Sequence, residues 1–363
     1  MSRPKKTAKK SASSRKSGSW RTFWVLSTLL TLGLLVGALA WLQMPMGFKA
    51  LETSSNSSAA MEDVLDLTIE PGTSPRGVAR AVANAGADVS PQILWIWFRL
   101  SGQDRAIKAG SYEITPGMSP KILLNMLARG EESLRSITLV EGWTFKQFRQ
   151  ALAKADSVKL SSQGMTDEDI MRQLGRPGLH PEGRFYPDTY TYSKGATDIS
   201  LMKRALKSMD QHLNQVWSEK RTPTILKTAD ELLILASIVE KETGRAVERP
   251  MISAVFHNRL KIGMRLQTDP TVIYGLGEAF DGNLRKVDLK TDTPYNTYTR
   301  SGLPPTPIAM PGKAAMLAAI APSSSNVLYF VARGDGSSYF SQSLNEHNQA
   351  VNRYQRGISV QGK

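Results

Sequence analysis

The feature that most constrains this chain is an uncharged apolar stretch over residues 23–44, FWVLSTLLTLGLLVGALAWLQM. As a helix rising about 1.5 Å per residue, a stretch of this length spans the roughly 30 Å hydrocarbon core of a bilayer. Trp20, Trp24 and Trp41 lie near its two ends, where indole rings favour the membrane interface. The stretch therefore predicts a transmembrane helix over residues 23–44.

The charges around this stretch predict its orientation. Residues 1–22 hold eight of the 46 Lys and Arg residues of the chain and none of its 32 acidic residues. The positive-inside rule puts this basic tail, whose composition predicts disorder, in the cytoplasm. Removing these eight charges from the net charge of +14 leaves +6, so we predict no nucleic-acid partner. We expect a single-pass protein in which everything after Met44 lies outside the cytoplasm.

A cleaved signal peptide is the alternative, because Ala38, Leu39 and Ala40 resemble a cleavage site. The apolar stretch is longer than the usual ~7–15 apolar residues of a signal peptide, which favours an uncleaved anchor. The sequence contains no cysteine, which excludes a lipoprotein anchor, disulfides and thiolate metal sites.

Three later stretches share one pattern, in which a strand is followed by a turn glycine, a Ser or Thr N-cap and an amphipathic helix. The glycines and caps are Gly72 with Ser74, Gly117 with Ser119, and Gly142 with Thr144.

The first two stretches predict a small α+β module over residues 64–135, which follows a flexible polar linker over residues 45–63. The third stretch opens a second domain, predicted over residues 136–355, and residues 356–363 form a C-terminal tail.

The most apolar segment of the second domain ends in two acids. TADELLILASIVEKETG, residues 228–244, predicts a central helix with Thr228 or Asp230 as N-cap, and it finishes with Glu240 and Glu242. Residues two apart point about 200° from each other around a helix. A glycosidase site built from these two carboxylates alone is therefore excluded.

Periodicity alone does not choose between the two glutamates. Both can be charges at a helix end, with Glu240 paired to Lys241 or Arg245. However, an acid at a helix C-terminus faces the negative end of the helix dipole. This placement raises a carboxyl pKa, which suits a general acid.

Several long motifs resemble the endolytic murein transglycosylase family, also called YceG-like, and they extend from about residue 64 to residue 355. Thr306 departs from the pattern, because the family usually has glycine there. The motifs are ILASIVEKETG, VFHNRLKIGMRLQTDPTVIYGLG, YNTYTRSGLPPTPI, SLNEHNQAV and EGRFYPDTY.

The resemblance implies an α+β fold with a LysM-like module and a catalytic domain whose lysozyme-like central helix carries the catalytic residue. Glu242 followed by Thr243 resembles the Glu-Ser pair of lytic transglycosylases, so the resemblance selects Glu242 over Glu240. It implies cleavage of the β-1,4 bond between N-acetylmuramic acid (MurNAc) and N-acetylglucosamine (GlcNAc) within nascent strands, with a 1,6-anhydro product that ends elongation. This chemistry needs no metal and no cofactor.

The motifs also supply candidate sugar-binding residues. Amide, hydroxyl and carboxylate side chains can bind sugar hydroxyls and acetamides, and tyrosines can stack on pyranose faces. The alternative is that the tyrosines are core residues and that Asp269-Pro270 is only a turn. The candidates are Gln267, Thr268, Asp269, Tyr295, Asn296, Tyr298 and Glu182, with Tyr274 as a further stacking residue and Asn258 and His347 as weaker ones.

Peptidoglycan glycan strands are the expected substrate, and penicillin-binding proteins are partners that the resemblance makes plausible. Two other functions stay open: a membrane-tethered scaffold that binds peptidoglycan without cutting it, and a muramidase that uses water. An anhydro end, no cleavage, or a reducing end distinguishes the three.

Overall fold

The computed structural model describes residues 18–48, 64–220 and 224–356. The predicted mixed α+β class is confirmed, and the chain divides into two compact units, Met1–Ser133 and Leu134–Lys363. Most of the predicted N-terminal tail, linker and C-terminal tail lies outside the described residues.

The first helix, α1 (Gly18–Trp41), contains the predicted apolar stretch and ends three residues before its predicted end. Its segment Phe23–Trp41 is long and apolar enough to cross a membrane, and it is exposed in the structure. The chain then makes a turn, and Met46 is buried in the core of the first unit. Its backbone N–H donates to the carbonyl of Met118 at 2.9 Å.

The first unit is built from short strands and helices around one apolar core. Two antiparallel strand pairs hold it together, one joining Gly47 to Asp88 and the other joining Leu67 to Tyr112. The first of these pairs includes residues 47–48 of the predicted linker. After α1 the elements are β1 (Gly47–Phe48), β2 (Leu65–Ile69), α2 (Pro75–Asn84), β3 (Ala87–Asp88), α3 (Pro91–Leu100), β4 (Gly110–Ile114) and α4 (Pro120–Arg129).

The three predicted turns and caps are confirmed. Gly72, Gly117 and Gly142 have φ angles of 84°, 85° and 79°, a left-handed conformation that glycine adopts without strain. Each cap hydroxyl accepts a hydrogen bond from the backbone N–H three residues later, at 3.2 Å for Ser74, 3.4 Å for Ser119 and 3.3 Å for Thr144.

The second unit is mainly helical, with two separate antiparallel strand pairs, β5 with β6 and β7 with β8. Its elements are β5 (Leu134–Thr138), α5 (Phe145–Lys154), α6 (Asp167–Gln173), β6 (Thr189–Ser193), α7 (Asp198–Ser218), α8 (Ala229–Glu242), α9 (Arg249–Lys261), α10 (Asp269–Leu276), α11 (Lys286–Lys290), α12 (Lys313–Ile320), β7 (Tyr329–Ala332), β8 (Ser338–Ser341) and α13 (Leu344–Tyr354).

Helix α8 forms the centre of the larger core of this unit. All residues of Leu232–Val239 are buried, and the helix packs against α7, α9, α10 and α12. Thr228, not Asp230, is the N-cap, and its hydroxyl accepts from the N–H of Glu231 at 3.1 Å. A helix buried on all sides holds its last turn in a fixed position, and that turn carries the two glutamates.

Candidate active site

The two glutamates at the end of α8 have different surroundings. Glu240 forms an ion pair with Arg249 at 3.0 Å, and both side chains are buried. Its other oxygen accepts from the N–H of Gly312 at 2.9 Å. The predicted partners, Lys241 and Arg245, are wrong, because the start of α9 folds back onto the end of α8 and brings Arg249 to the carboxylate. Glu240 therefore joins three segments of the unit.

Glu242 is the last residue of α8, and the Thr268 hydroxyl donates a hydrogen bond to its Oε1. Burial raises the pKa of Glu242 to about 7 from an ordinary 4.5. The bond from Thr268 lowers this pKa, the nearby Asp269 carboxylate raises it, and the Arg259 guanidinium lowers it. Near neutral pH the carboxyl is thus present in both its acid and its base form.

Thr268 is buried and fixed by a small network of threonines. Its backbone N–H donates to the Thr297 hydroxyl at 3.1 Å, and its carbonyl accepts from the Thr271 hydroxyl at 2.8 Å. The hydroxyls of Thr271 and Thr297 lie 2.9 Å apart. Because these contacts determine the position of Thr268, its hydroxyl is directed at Glu242 before any substrate binds.

Asp269 and Tyr298 lie on the solvent side of this network. Asp269 is exposed at the start of α10, and its Oδ1 accepts from the Tyr298 hydroxyl at 2.5 Å. Burial and the contact with Asp269 raise the pKa of Tyr298, so its hydroxyl remains protonated. Gln267, also exposed, has a φ of 47°, and its N–H donates to the Thr297 carbonyl at 3.1 Å. The structure therefore brings Glu242, Thr268, Asp269 and Tyr298 together, with Gln267 beside them.

Asn296 lies behind this group rather than in it. The side chain is fully buried, and its amide donates to the carbonyls of Asp288, Leu289 and Thr291 at 3.1, 3.2 and 2.6 Å. Its Oδ1 accepts from the N–H of Tyr298 at 2.9 Å. In this conformation its amide shapes the loop that presents Tyr298.

Tyr295, Tyr274 and Glu182 form a second group. The rings of Tyr295 and Tyr274 meet edge to face with centroids 4.9 Å apart, and the hydroxyl of Tyr295 lies 2.8 Å from that of Thr306. The Tyr274 hydroxyl is hydrogen-bonded to Glu182, whose side chain is almost inaccessible. The second unit also contains a cavity of about 1330 Å³ lined by all three members of this group.

Sequence reasoning missed Arg259, a buried cation in α9. Its Nε donates to the Leu328 carbonyl at 2.7 Å, and its Nη1 donates to the Leu266 carbonyl at 2.6 Å. Leu266 leads directly into the segment that carries Thr268. An arginine in the same motif as Asp269 was the only available signal, and only the fold relates it to Glu242.

The two weaker candidates contact other parts of the second unit. The Asn258 amide donates to the carbonyls of Ser325 and Val327, and His347 stacks on Tyr329. In the part of the chain that the structure describes, no cluster of three or more His, Asp or Glu side chains could hold a metal ion.

Known proteins resemble this chain over most of its length. Residues 67–353 match the YceG-like family. A protein of Bacillus subtilis (strain 168) named endolytic murein transglycosylase is 31% identical over 310 residues, which cover 80% of this chain and 84% of that protein. A protein of the same name from Streptococcus pneumoniae (serotype 2, strain D39) is 30% identical over 278 residues, 68% of this chain but 50% of that protein.

A solved structure is also similar. The crystal structure of a yceG-like protein from Listeria monocytogenes superposes with a TM-score of 0.52 at 30% sequence identity. The match covers 79% of this chain and 99% of that protein.

Proposed function

We propose that this chain, which belongs to the YceG-like family, is a lytic transglycosylase that cleaves the β-1,4 bond between MurNAc and GlcNAc inside peptidoglycan strands. The observation that carries the proposal is Glu242, a single carboxyl with a pKa raised to about 7 at the end of a buried helix. The activity named for the similar proteins supports the same reaction.

In the first step, protonated Glu242 donates its proton to the glycosidic oxygen as the bond to C1 of MurNAc breaks. A carboxyl with an ordinary pKa of 4.5 would carry almost no proton at pH 7, whereas one near 7 is about half protonated. The Thr268 hydroxyl then stabilises the carboxylate that the transfer leaves behind.

In the second step, the Glu242 carboxylate accepts the proton of the C6 hydroxyl of the same MurNAc, and the C6 oxygen closes onto C1. The product is a 1,6-anhydro end. Because the nucleophile belongs to the substrate, its effective concentration is high and the enzyme needs no second carboxylate to activate water.

The residues around Glu242 divide the work of binding the strand. In this proposal, exposed Gln267 and Asp269 bind sugar hydroxyls, Thr268 contacts the reacting acid, and Tyr298 offers a ring face. Tyr295 and Glu182 contact the strand farther from the bond that is cut. Asn296 supports this surface through the loop that its amide holds.

We further propose that α1 is a single-pass anchor in the inner membrane, with the N-terminus in the cytoplasm and both folded units in the periplasm. Its length and its apolar composition support this assignment, as does the basic sequence before it. The first unit is then a LysM-like module over residues 64–135, and the catalytic domain occupies residues 136–355. Penicillin-binding proteins that extend strands at the same membrane are the proposed partners.

The decisive experiment incubates the full chain in detergent micelles with uncross-linked glycan strands and identifies the products by mass spectrometry. Wild type, Glu242→Gln and Glu240→Gln are compared. We expect anhydro-MurNAc ends from wild type and Glu240→Gln and none from Glu242→Gln. An inactive Glu240→Gln that remains folded would move the catalytic role to Glu240. A folded wild type that binds strands without cutting them would favour the scaffold.

One observation favours a muramidase as the second candidate. Asp269 follows Thr268 directly and lies close enough to raise the pKa of Glu242, so the site does contain another carboxylate. A hydrolase would use it as nucleophile or to activate water. Reducing ends instead of anhydro ends, lost in Asp269→Asn, would establish this alternative.

A further inference from the structure

The cavity beside Glu182 is a site that the proposed reaction does not itself require. It is bounded by α5, by the loop that carries Glu182 and by α10. Two of its lining residues are chain neighbours of the active-site group, since Lys241 precedes Glu242 and Pro270 follows Asp269. The cavity thus reaches both segments that form the candidate active site.

We propose that this cavity is a distal subsite that binds a neutral N-acetylated sugar of the glycan strand, beyond the sugar on which Glu242 acts. The proposal rests on the proposed function and adds where the strand continues. An enzyme that cuts inside a strand binds sugars on both sides of the bond that it cleaves, and this cavity binds those on one side.

Its size fits an extended ligand. A volume of about 1330 Å³ exceeds the roughly 300–1,000 Å³ of pockets that hold drug-sized molecules. Ile273 and Ile308 contribute apolar lining and Tyr295 an aromatic ring, the surfaces on which pyranose faces pack.

The charges of the lining favour a neutral ligand. Lys146 of α5 forms an ion pair with Glu278, which follows α10, and Arg149 pairs with Asp167 at 3.0 Å. Acids therefore already pair both of these cations. A phosphate or another polyanion finds no excess of positive charge here, whereas a sugar needs none.

Glu182 and Tyr274 supply the polar recognition. The Glu182 side chain is 3% exposed, and its Oε1 accepts from the N–H of Phe145 at 3.0 Å. Burial raises the pKa of Glu182 to about 7, so near neutral pH part of the population carries a proton that it can donate. A carboxyl and a phenol side by side in an apolar setting can both donate and accept, as the carbonyl and N–H of an acetamide require.

The test measures binding separately from cleavage. The full chain carrying Glu242→Gln is titrated with peptide-free glycan strands in a calorimeter. Gln150→Trp then places a bulky ring in the cavity from an exposed position of α5, and Gln211→Trp makes the same change at an exposed position of α7 that does not line the cavity. We expect Gln150→Trp to raise Kd about tenfold and Gln211→Trp to leave it unchanged.

Glu182→Gln and Tyr274→Phe test the polar pair, each with an expected rise in Kd of about threefold to tenfold, the effect of one lost hydrogen bond. In the active chain, Gln150→Trp should raise KM for strands and leave kcat at saturation unchanged. Equal Kd and KM for Gln150→Trp and Gln211→Trp would overturn the subsite while cleavage continued. Failure of the proposed function has a different signature: no cleavage by wild type, with the effect of Gln150→Trp on binding intact.

Discussion

Glu242 and the Thr268 hydroxyl form the pair on which the proposed chemistry depends. In the proposed reaction the Glu242 carboxyl exchanges a proton twice in one turnover, and its raised pKa keeps both forms populated near pH 7. The two largest influences on this value oppose each other, because burial favours the acid and the bond from Thr268 favours the carboxylate. A change in the burial of Glu242 or in its bond from Thr268 therefore shifts the pKa of Glu242.

The pH dependence of cleavage follows from the required acid form. As pH rises through about 7, Glu242 loses its proton, so kcat/KM should fall about tenfold per pH unit above that value. Thr268→Val removes the hydrogen bond that lowers the pKa of Glu242. The pH above which kcat/KM falls should therefore rise by roughly one unit. Rate profiles between pH 5 and pH 9 measure the shift.

Glu182→Gln is the matched control for that profile, because Glu182 has a similar pKa of about 7 and lies in the cavity. At saturating strand, where a change in binding no longer affects the rate, the fall of its kcat with pH should coincide with that of wild type. If the pH profile shifts in Glu182→Gln and is unchanged in Thr268→Val, the titrating carboxyl is Glu182 and not Glu242.

The same shift predicts a gain in stability for Glu242→Gln. The folded-state pKa lies above the ordinary 4.5, so the stability linked to the protonated carboxyl is complete below pH 4.5 and is lost as pH rises through about 7. At pH 8 the variant should be more stable by on the order of 2 kcal/mol, which raises Tm by a few degrees. At pH 4 the two proteins should melt together. Thermal unfolding in micelles at both pH values checks this, and equal melting at pH 8 contradicts it.

At the scale of elements, the end of α8 is fixed by the buried pair of Glu240 and Arg249. Removing one partner of such a pair leaves an uncompensated buried charge, which costs about 3–5 kcal/mol. Glu240→Gln should therefore lower the free energy of unfolding by about 3 kcal/mol and keep its activity per folded molecule. Denaturant unfolding and product yield, measured on the same samples, test both parts.

The double variant Glu240→Gln with Arg249→Met supplies the control for this prediction. It removes both charges, so it should recover part of the stability lost in Glu240→Gln. A double variant that is less stable than the sum of the two single changes would show that the ion pair is not the reason for the loss.

The elements also show which features can be predicted from sequence. The caps Ser74, Ser119 and Thr144 were predictable because the interaction spans three residues of one helix start. The partner of Glu240 was not predictable. Arg245 is nearer to it along the chain, and only the packing of α9 against α8 brings Arg249 to the carboxylate. The directions of side chains in the loops also depend on contacts with residues that are distant in the sequence.

The candidate site divides in the same way. Glu242 could be selected from its motif, and its place at the end of α8 follows from the apolar run before it. Its contact with Thr268 joins residues 26 apart, and the threonine network behind it depends on a third segment. Asn296 has a side chain suited to sugars, yet its own loop uses the amide. Residue types suited to the proposed chemistry could therefore be selected from the sequence, whereas their contacting partners could not.

At the scale of the whole molecule, the proposed membrane anchor α1 determines where the protein can act. Phe23–Trp41 should hold the full chain in the membrane fraction after alkaline carbonate washing, because no ionic contact is needed to keep an apolar helix in lipid. Replacing Leu29, Leu30 and Leu32 by arginine should release the protein, because each charge at mid-bilayer costs about 2.5–3.5 kcal/mol. Immunoblots of the wash and pellet check this, and a wild type found in the wash contradicts the anchor.

The connection between α1 and the first unit is very short. Trp41 ends the helix, and Met46 is already buried in the core of the unit. Five residues reach at most about 18 Å even when fully extended. With α1 in the bilayer, the first unit cannot leave the lipid surface, and the protein meets its strands by diffusion in two dimensions. A strand that has moved deeper into the cell wall lies too far from the membrane for the protein to contact it. The distance of a strand from the membrane then increases with the time since its synthesis, and newly made strands are the ones that the protein contacts.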